Sequence, residues 1–244
     1  MLGLFFYSLH ILRPFAQTTR DVSSHFLQGG KIRMTQNPFG QGQGQTHQNM
    51  QTGNIPQNMN HGGHEVFDVH EVLSTVVSGL NFKTLLRPHV KDQELLSILD
   101  RQYAFALDEY NITVECFKTG TDPSHPTTSY KMQTGNDFIY GIKPSEPKKP
   151  IQSANELSDE LISGYLLDAA KASATIKTTA ALETTNPVVR RVLADSIPNC
   201  IEMAYELSIY QNKHHYYQVA QLDQQNMQAI LNSFGPVPQG KMMS

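Results

Sequence analysis

The chain has 244 residues, 39% hydrophobic, 9% aromatic and 17% charged, with a net charge of −3 and an isoelectric point near 6.3. That length buries a real core, two cysteines exclude a disulfide-stapled scaffold, and the slight acidity argues against nucleic acid as a partner. Apolar runs stay below the ~18 residues that a membrane span needs.

Residues 1–33 open with a mostly apolar stretch at 2–12, followed by Arg13, Arg20, Lys31 and Arg33. No basic region precedes that stretch and no small-x-small cleavage site closely follows it, which argues against a signal peptide. The codons of Gln28-Gly29-Gly30-Lys31 can spell a purine-rich ribosome-binding sequence just upstream of Met34. Residues 1–33 therefore read as translated leader, with initiation expected at Met34; the gene's nucleotides test this. Residues 34–63 contain no Asp, Glu, Lys or Arg, and eighteen of the thirty are Gln, Asn or Gly. With little to bury, such a segment is expected to form a disordered tail.

From residue 64 the apolar positions recur at spacings of three and four. Val66, Val69, Leu73, Val76 and Leu80 predict a helix over 65–87, ended by Arg87-Pro88. Leu95, Leu99, Tyr103, Ala106, Tyr110 and Phe117 predict a second over 91–119, opened by Asp92 and Glu94 and closed by Gly120. Leu157, Leu161, Tyr165, Ala169, Ala172, Ile176 and Ala180 predict a third over 156–184. Asn186-Pro187 opens a fourth over 187–213, with Val189, Val192, Ile197, Cys200, Ala204 and Leu207 on its inner face. Pro198 removes one backbone donor there and is expected to kink it. Asp223 caps a short last helix carrying Met227, Ile230, Leu231 and Phe234, and 235–244 is expected to be flexible.

Short turns join the first pair of helices and the last pair, while residues 119–155 are long enough to run the length of either hairpin. The fold class expected for 64–234 is therefore all-α: a ferritin-like four-helix bundle of two helical hairpins with a long crossover, plus a short C-terminal helix.

A ferritin-like bundle prompts a di-iron test, which requires inward Glu-x-x-His motifs on two helices. Glu109, Glu202 and Glu206 are followed at the third position by Ile112, Tyr205 and Ile209, and no helix carries the motif. Asp168 is the acidic residue expected beside an inner stripe, and one carboxylate does not hold two metals. His61, His64 and His70 read as solvated residues where the first helix begins. His214-His215-Tyr216-Tyr217 reads as a polar hinge, and Cys116 and Cys200 as inert core thiols. Catalytic, cofactor-binding and metal-ligating residues are assigned at no position.

Other features resemble a known family. His64-Glu65-Val66-Phe67-Asp68-Val69-His70-Glu71, Val90-Lys91-Asp92-Gln93-Glu94-Leu95-Leu96 and Leu99-Asp100-Arg101-Gln102 are similar to the spore coat protein F family of endospore-forming bacteria. So are Ser158-Asp159-Glu160, Thr185-Asn186-Pro187-Val188-Val189-Arg190-Arg191, Glu202-Met203-Ala204-Tyr205-Glu206 and Tyr210-Gln211-Asn212-Lys213-His214. The resemblance implies a non-enzymatic structural component of the spore coat, made in the mother-cell cytoplasm. Its implied partners are other spore coat proteins and further copies of itself. The alternatives are a ferritin-like metal or redox protein and, more weakly, a cytosolic sporulation regulator.

Overall fold

The computed structural model describes residues 55–237, which are helical apart from their connections. Four long helices, α1 (Gly63–Leu86), α2 (Gln93–Thr119), α3 (Asp159–Glu183) and α4 (Pro187–Lys213), are followed by a short α5 (Gln224–Leu231). Among the described residues the extended backbone forms one isolated parallel bridge, Tyr140 to Val219, and no strand.

Local chemistry sets the helix ends. The Asp92 carboxylate accepts from the backbone N–H of Glu94 and Leu95 at the start of α2, and the Asn186 side chain does the same for Val188 and Val189 at the start of α4. Ser158 caps α3 through Leu161 N–H, so the helix starts three residues later than the expected 156, after a single 3₁₀ turn at Ala154–Glu156. α2 stops at Gly120, whose φ of 68° lies in the left-handed region. A Cβ there would also come within 1.9 Å of the Gln57 carbonyl oxygen, so only glycine fits.

Contacts at the two ends fix the topology. At one end, the Asn186 amide donates to the carbonyls of Asn60 and Gly120, bringing together the starts of α1 and α4 and the end of α2. At the other, the Asp159 carboxylate accepts from Lys91 and Asp92 N–H, joining the start of α3 to the α1–α2 turn. The segment between α2 and α3 therefore travels the full length of the helices. α1 packs on α2 and α3, and α4 packs on the same two helices, so every neighbouring pair runs antiparallel.

The core is two apolar clusters separated by a polar layer. Leu86, Leu95, Leu99, Ile162, Leu166, Leu207 and Tyr210 belong to the cluster near the α1–α2 turn. Val69, Val72, Ile112, Cys116, Ala180, Val189 and Leu193 belong to the one near the α3–α4 turn. Between them, buried Gln102, Glu109, Lys177, Asn199 and Glu206 face inward.

Two features of the predicted stripes are corrected. α3 buries Ile162, Ser163, Leu166, Leu167, Lys177 and Ala180, leaving Leu161 half-buried and Tyr165 and Ala172 exposed. The apolar pairs 161/162 and 165/166 make either register plausible in sequence, and the inward lysine pulls the helix into the other one. On α1, Glu65 is buried and Val66 exposed. Leu99→Ala, Ile162→Ala and Leu166→Ala should each lower the unfolding free energy by about 2–5 kcal/mol in urea titrations. Leu161→Ala should lower it by clearly less; equal losses at 161 and 162 would contradict this register.

The tail expected to end at residue 63 is tied down over its last residues. A 3₁₀ turn at Gln57–Met59 lies against Gly120, and Asn60 and His61 bond to the helices. The remainder of the expected leader and tail, and most of the expected flexible C-terminus, fall outside the described residues.

Candidate functional site

The inward-facing polar residues form three groups along the axis, each built on one glutamate. At the α3–α4 turn, Glu65 of α1 accepts through Oε2 from Thr185 N–H at 2.8 Å, Thr185 Oγ1 at 2.7 Å and Asn186 N–H at 2.9 Å. Its Oε1 lies 2.6 Å from His61 Nδ1, and the His61 ring sits edge-on to Phe117. His61 is therefore a buried partner of Glu65, not the solvated residue expected; His64 and His70 are exposed.

Burial favours the protonated form of Glu65, but the hydrogen bonds from His61, Asn186 and Thr185 together outweigh it and hold the carboxyl below its usual value of 4.5. A depressed folded value means a stabilising contribution that is complete above the ordinary carboxylate range and disappears as pH falls through the folded value. Glu65→Gln should thus lower the melting temperature at neutral pH, with the gap to the unaltered chain narrowing between about pH 5 and pH 3. A gap independent of pH would show that the charge plays no part.

In the middle layer Glu109 of α2 accepts from Lys177 Nζ of α3 at 3.0 Å and from Asn199 Nδ2 of α4 at 2.7 Å. Beside them is a partly open cavity of about 40 Å³, room for a few water molecules, whose lining includes Lys83, Glu109, Lys177 and Cys200. Burial lowers the pKa of Lys83 from its ordinary value.

Nearer the α1–α2 end Glu206 of α4 takes Arg101 Nη2 at 2.5 Å, Gln102 Nε2 at 3.2 Å, the Tyr130 hydroxyl at 2.5 Å and Gln133 N–H at 3.0 Å. Burial and the facing Glu206 carboxylate raise the Tyr130 pKa, so the phenol stays a donor.

Two of these groups hold the crossover. Tyr130 N–H donates to Asn199 Oδ1, and Asn199 Nδ2 donates to the Thr128 carbonyl. Farther along, Asn212 receives Ile139 N–H and donates to Ile139 O, and Gln218 does the same with Lys143. Asn199 and Glu206, seven residues apart, share one side of α4, and Asn212, about 120° further round, meets the strap near the end of the helix.

Sequence reasoning missed these glutamates. Asp168, the acid expected beside an inner stripe, is exposed, while Glu65, Glu109 and Glu206 are buried. Among the described residues no three His, Cys, Asp or Glu side chains come together as a metal site. The central layer supplies one carboxylate, two lysines, an amide and a thiol, a donor set that does not suit a divalent cation. Burial pushes the Cys116 thiol up to about 11 and raises Cys200 as well, so both remain protonated at neutral pH. His214 stacks between Tyr210 and Tyr216, and His215 has a φ of 59° where the chain turns off α4.

Four long helices whose buried glutamates are paired within the chain, with a strapped crossover, define an all-helical domain organised around its own polar contacts. The Coat F domain family matches residues 158–220, which span α3, α4 and the turn after it. The spore coat protein F-like protein YhcQ of Bacillus subtilis (strain 168) is 55% identical over 181 residues, covering 74% of this chain and 83% of the relative. The chain belongs to the spore coat protein F family. No solved structure gives a significant match.

The residues that carry the family resemblance are largely those that make the contacts above. Glu65, Thr185 and Asn186 tie the α3–α4 turn, and Asp92 and Asp159 tie the opposite end. Arg101, Gln102 and Glu206 form the group nearer the α1–α2 end, and Asn212 holds the strap.

Proposed function

We propose that the protein is a non-enzymatic structural component of the endospore coat, located in the coat and joined to other spore coat proteins through surface contacts. Its 55% identity to a relative named as a spore coat protein F-like protein is the observation that carries this reading. The polar interior supports it, because each buried glutamate is engaged by side chains or backbone of the same chain. The antiparallel arrangement with one full-length crossover supports a ferritin-like bundle, used here as a rigid body. Among the described residues no helix is long and apolar enough to cross a membrane.

A fluorescent fusion expressed from its own promoter in sporulating cells tests the proposal. A ring of signal around the forespore is the expected result. Diffuse mother-cell signal throughout sporulation would overturn it in favour of a cytosolic regulator. A metal or redox protein would instead purify with near-stoichiometric iron or manganese.

A further inference from the structure

Two apolar features of this chain lack a partner, and they complement each other. The first is the arm after α4. Met227, Ile230, Leu231 and Phe234 follow the i, i+3, i+4, i+7 spacing of one helical face, yet no residue of α5 is buried. Leu231 is 66% and Phe234 91% exposed, with Leu222 and Val237 exposed on either side. A helix of eight residues has too few hydrogen bonds to hold its shape in water, so it needs a surface to form on.

The second is an open groove of about 470 Å³ between the strap, α3 and α4, lined by Phe138, Tyr140, Leu167, Ile201, Tyr205 and Tyr217. Tyr140, Ile201, Tyr205 and Tyr217 all remain exposed in the folded chain. Its lining carries one charge, Lys171, whose ammonium lies 5.8 Å from the centre of the Tyr217 ring. Residues 220–237 also carry one charge, Asp223, at the N-terminal cap of α5. An apolar arm led by an acid therefore complements an apolar groove containing a base.

We infer that the groove receives the α5 arm of a second copy of this chain, with the two copies exchanging arms about a two-fold axis. One chain folds with both surfaces bare, whereas reciprocal exchange covers both at once and counts every contact twice. This gives the assembly reading above its first defined contact and rests on that reading. A monomeric chain would end the pairing while leaving the forespore ring untouched.

Light scattering after gel filtration of the full chain at tens of micromolar tests the inference. The expected mass is that of two chains. Ile230→Asp with Phe234→Asp should halve the mass at unchanged helical circular dichroism, and so should Tyr205→Asp in the groove. Mixing the arm variant with the groove variant leaves one intact arm facing one intact groove, and should restore a fraction of two-chain particles. A full chain of single-chain mass would overturn the inference, including one whose α5 amides are protected because the arm folds onto its own groove. So would a dimer that survives the arm substitutions, which would place its interface elsewhere.

Discussion

Glu206→Ala is expected to lower the unfolding free energy by about 3–5 kcal/mol, among the largest losses from any single substitution in the chain. The side chain is fully buried, and its two oxygens receive Arg101, Gln102, Tyr130 and the backbone of Gln133. Truncation leaves a guanidinium, an amide and a phenol facing inward with no shared acceptor, and each unpaired buried donor is costly. The loss should appear in urea titration as a lower midpoint. It should also release the strap near 130–133, because the two crossover contacts made by Glu206 go with the carboxylate. Glu206→Gln keeps the volume and one acceptor and should fall between the two. A loss below about 1 kcal/mol for Glu206→Ala would mean that this group is solvated and contributes little.

Lys177→Met is expected to be comparably harmful, and a second substitution should cancel most of the harm. Lys177 and Glu109 form an ion pair at 3.0 Å with both side chains about 6% exposed. Removing the ammonium alone strands Glu109 in the polar layer, at a loss of about 3–5 kcal/mol. Lys177→Met with Glu109→Leu removes both charges and fills the layer with apolar volume, so stability should return to within about 1 kcal/mol of the unaltered chain or exceed it. A double-variant loss equal to the sum of the Lys177→Met and Glu109→Leu losses would show that the pair is not coupled.

These effects lie where the sequence was hardest to read. The helix ends were legible because their signals are local: Asp92 and Asn186 cap by bonding two or three residues ahead, and Gly120 stops α2 by its own conformation. The full-length crossover was legible from its length. The buried glutamates were not, since periodicity scores apolar residues and counts a charged one as solvent-facing. Glu65 is a clear case. It sits one residue before Val66, and burying the acid turns the valine outward. What draws Glu65 inward is the set of N–H groups at residues 185 and 186, some 120 positions away in sequence. Lys177 acts in the same way on α3, where pairing with Glu109 selects the register that exposes Tyr165. His61 looked solvated because its partners, Glu65 and Phe117, meet it only in the folded chain. The family resemblance did contain this information. Arg101, Gln102 and Glu206 stood in its motifs, without any sign that they meet around one carboxylate.

Composition was silent about what holds residues 120–155. A segment rich in Pro, Lys, Ser and Thr gives no sign of its partners, yet its backbone is held mostly by side chains of the helices it crosses. Ser124 N–H donates to Glu115, Tyr130 to Asn199, Gln133 to Glu206, Ile139 to Asn212 and Lys143 to Gln218, while Gly141 N–H meets the Val219 carbonyl. The central claim is that the polar residues of this domain hold its crossover in place. Native-state hydrogen exchange read amide by amide tests that claim most directly. The account predicts slow exchange at Tyr130, Gln133 and Ile139, with Glu206→Ala speeding Gln133 most and Ile139 least. Fast exchange at all three amides in the unaltered chain, at the rate of an open loop, would contradict it.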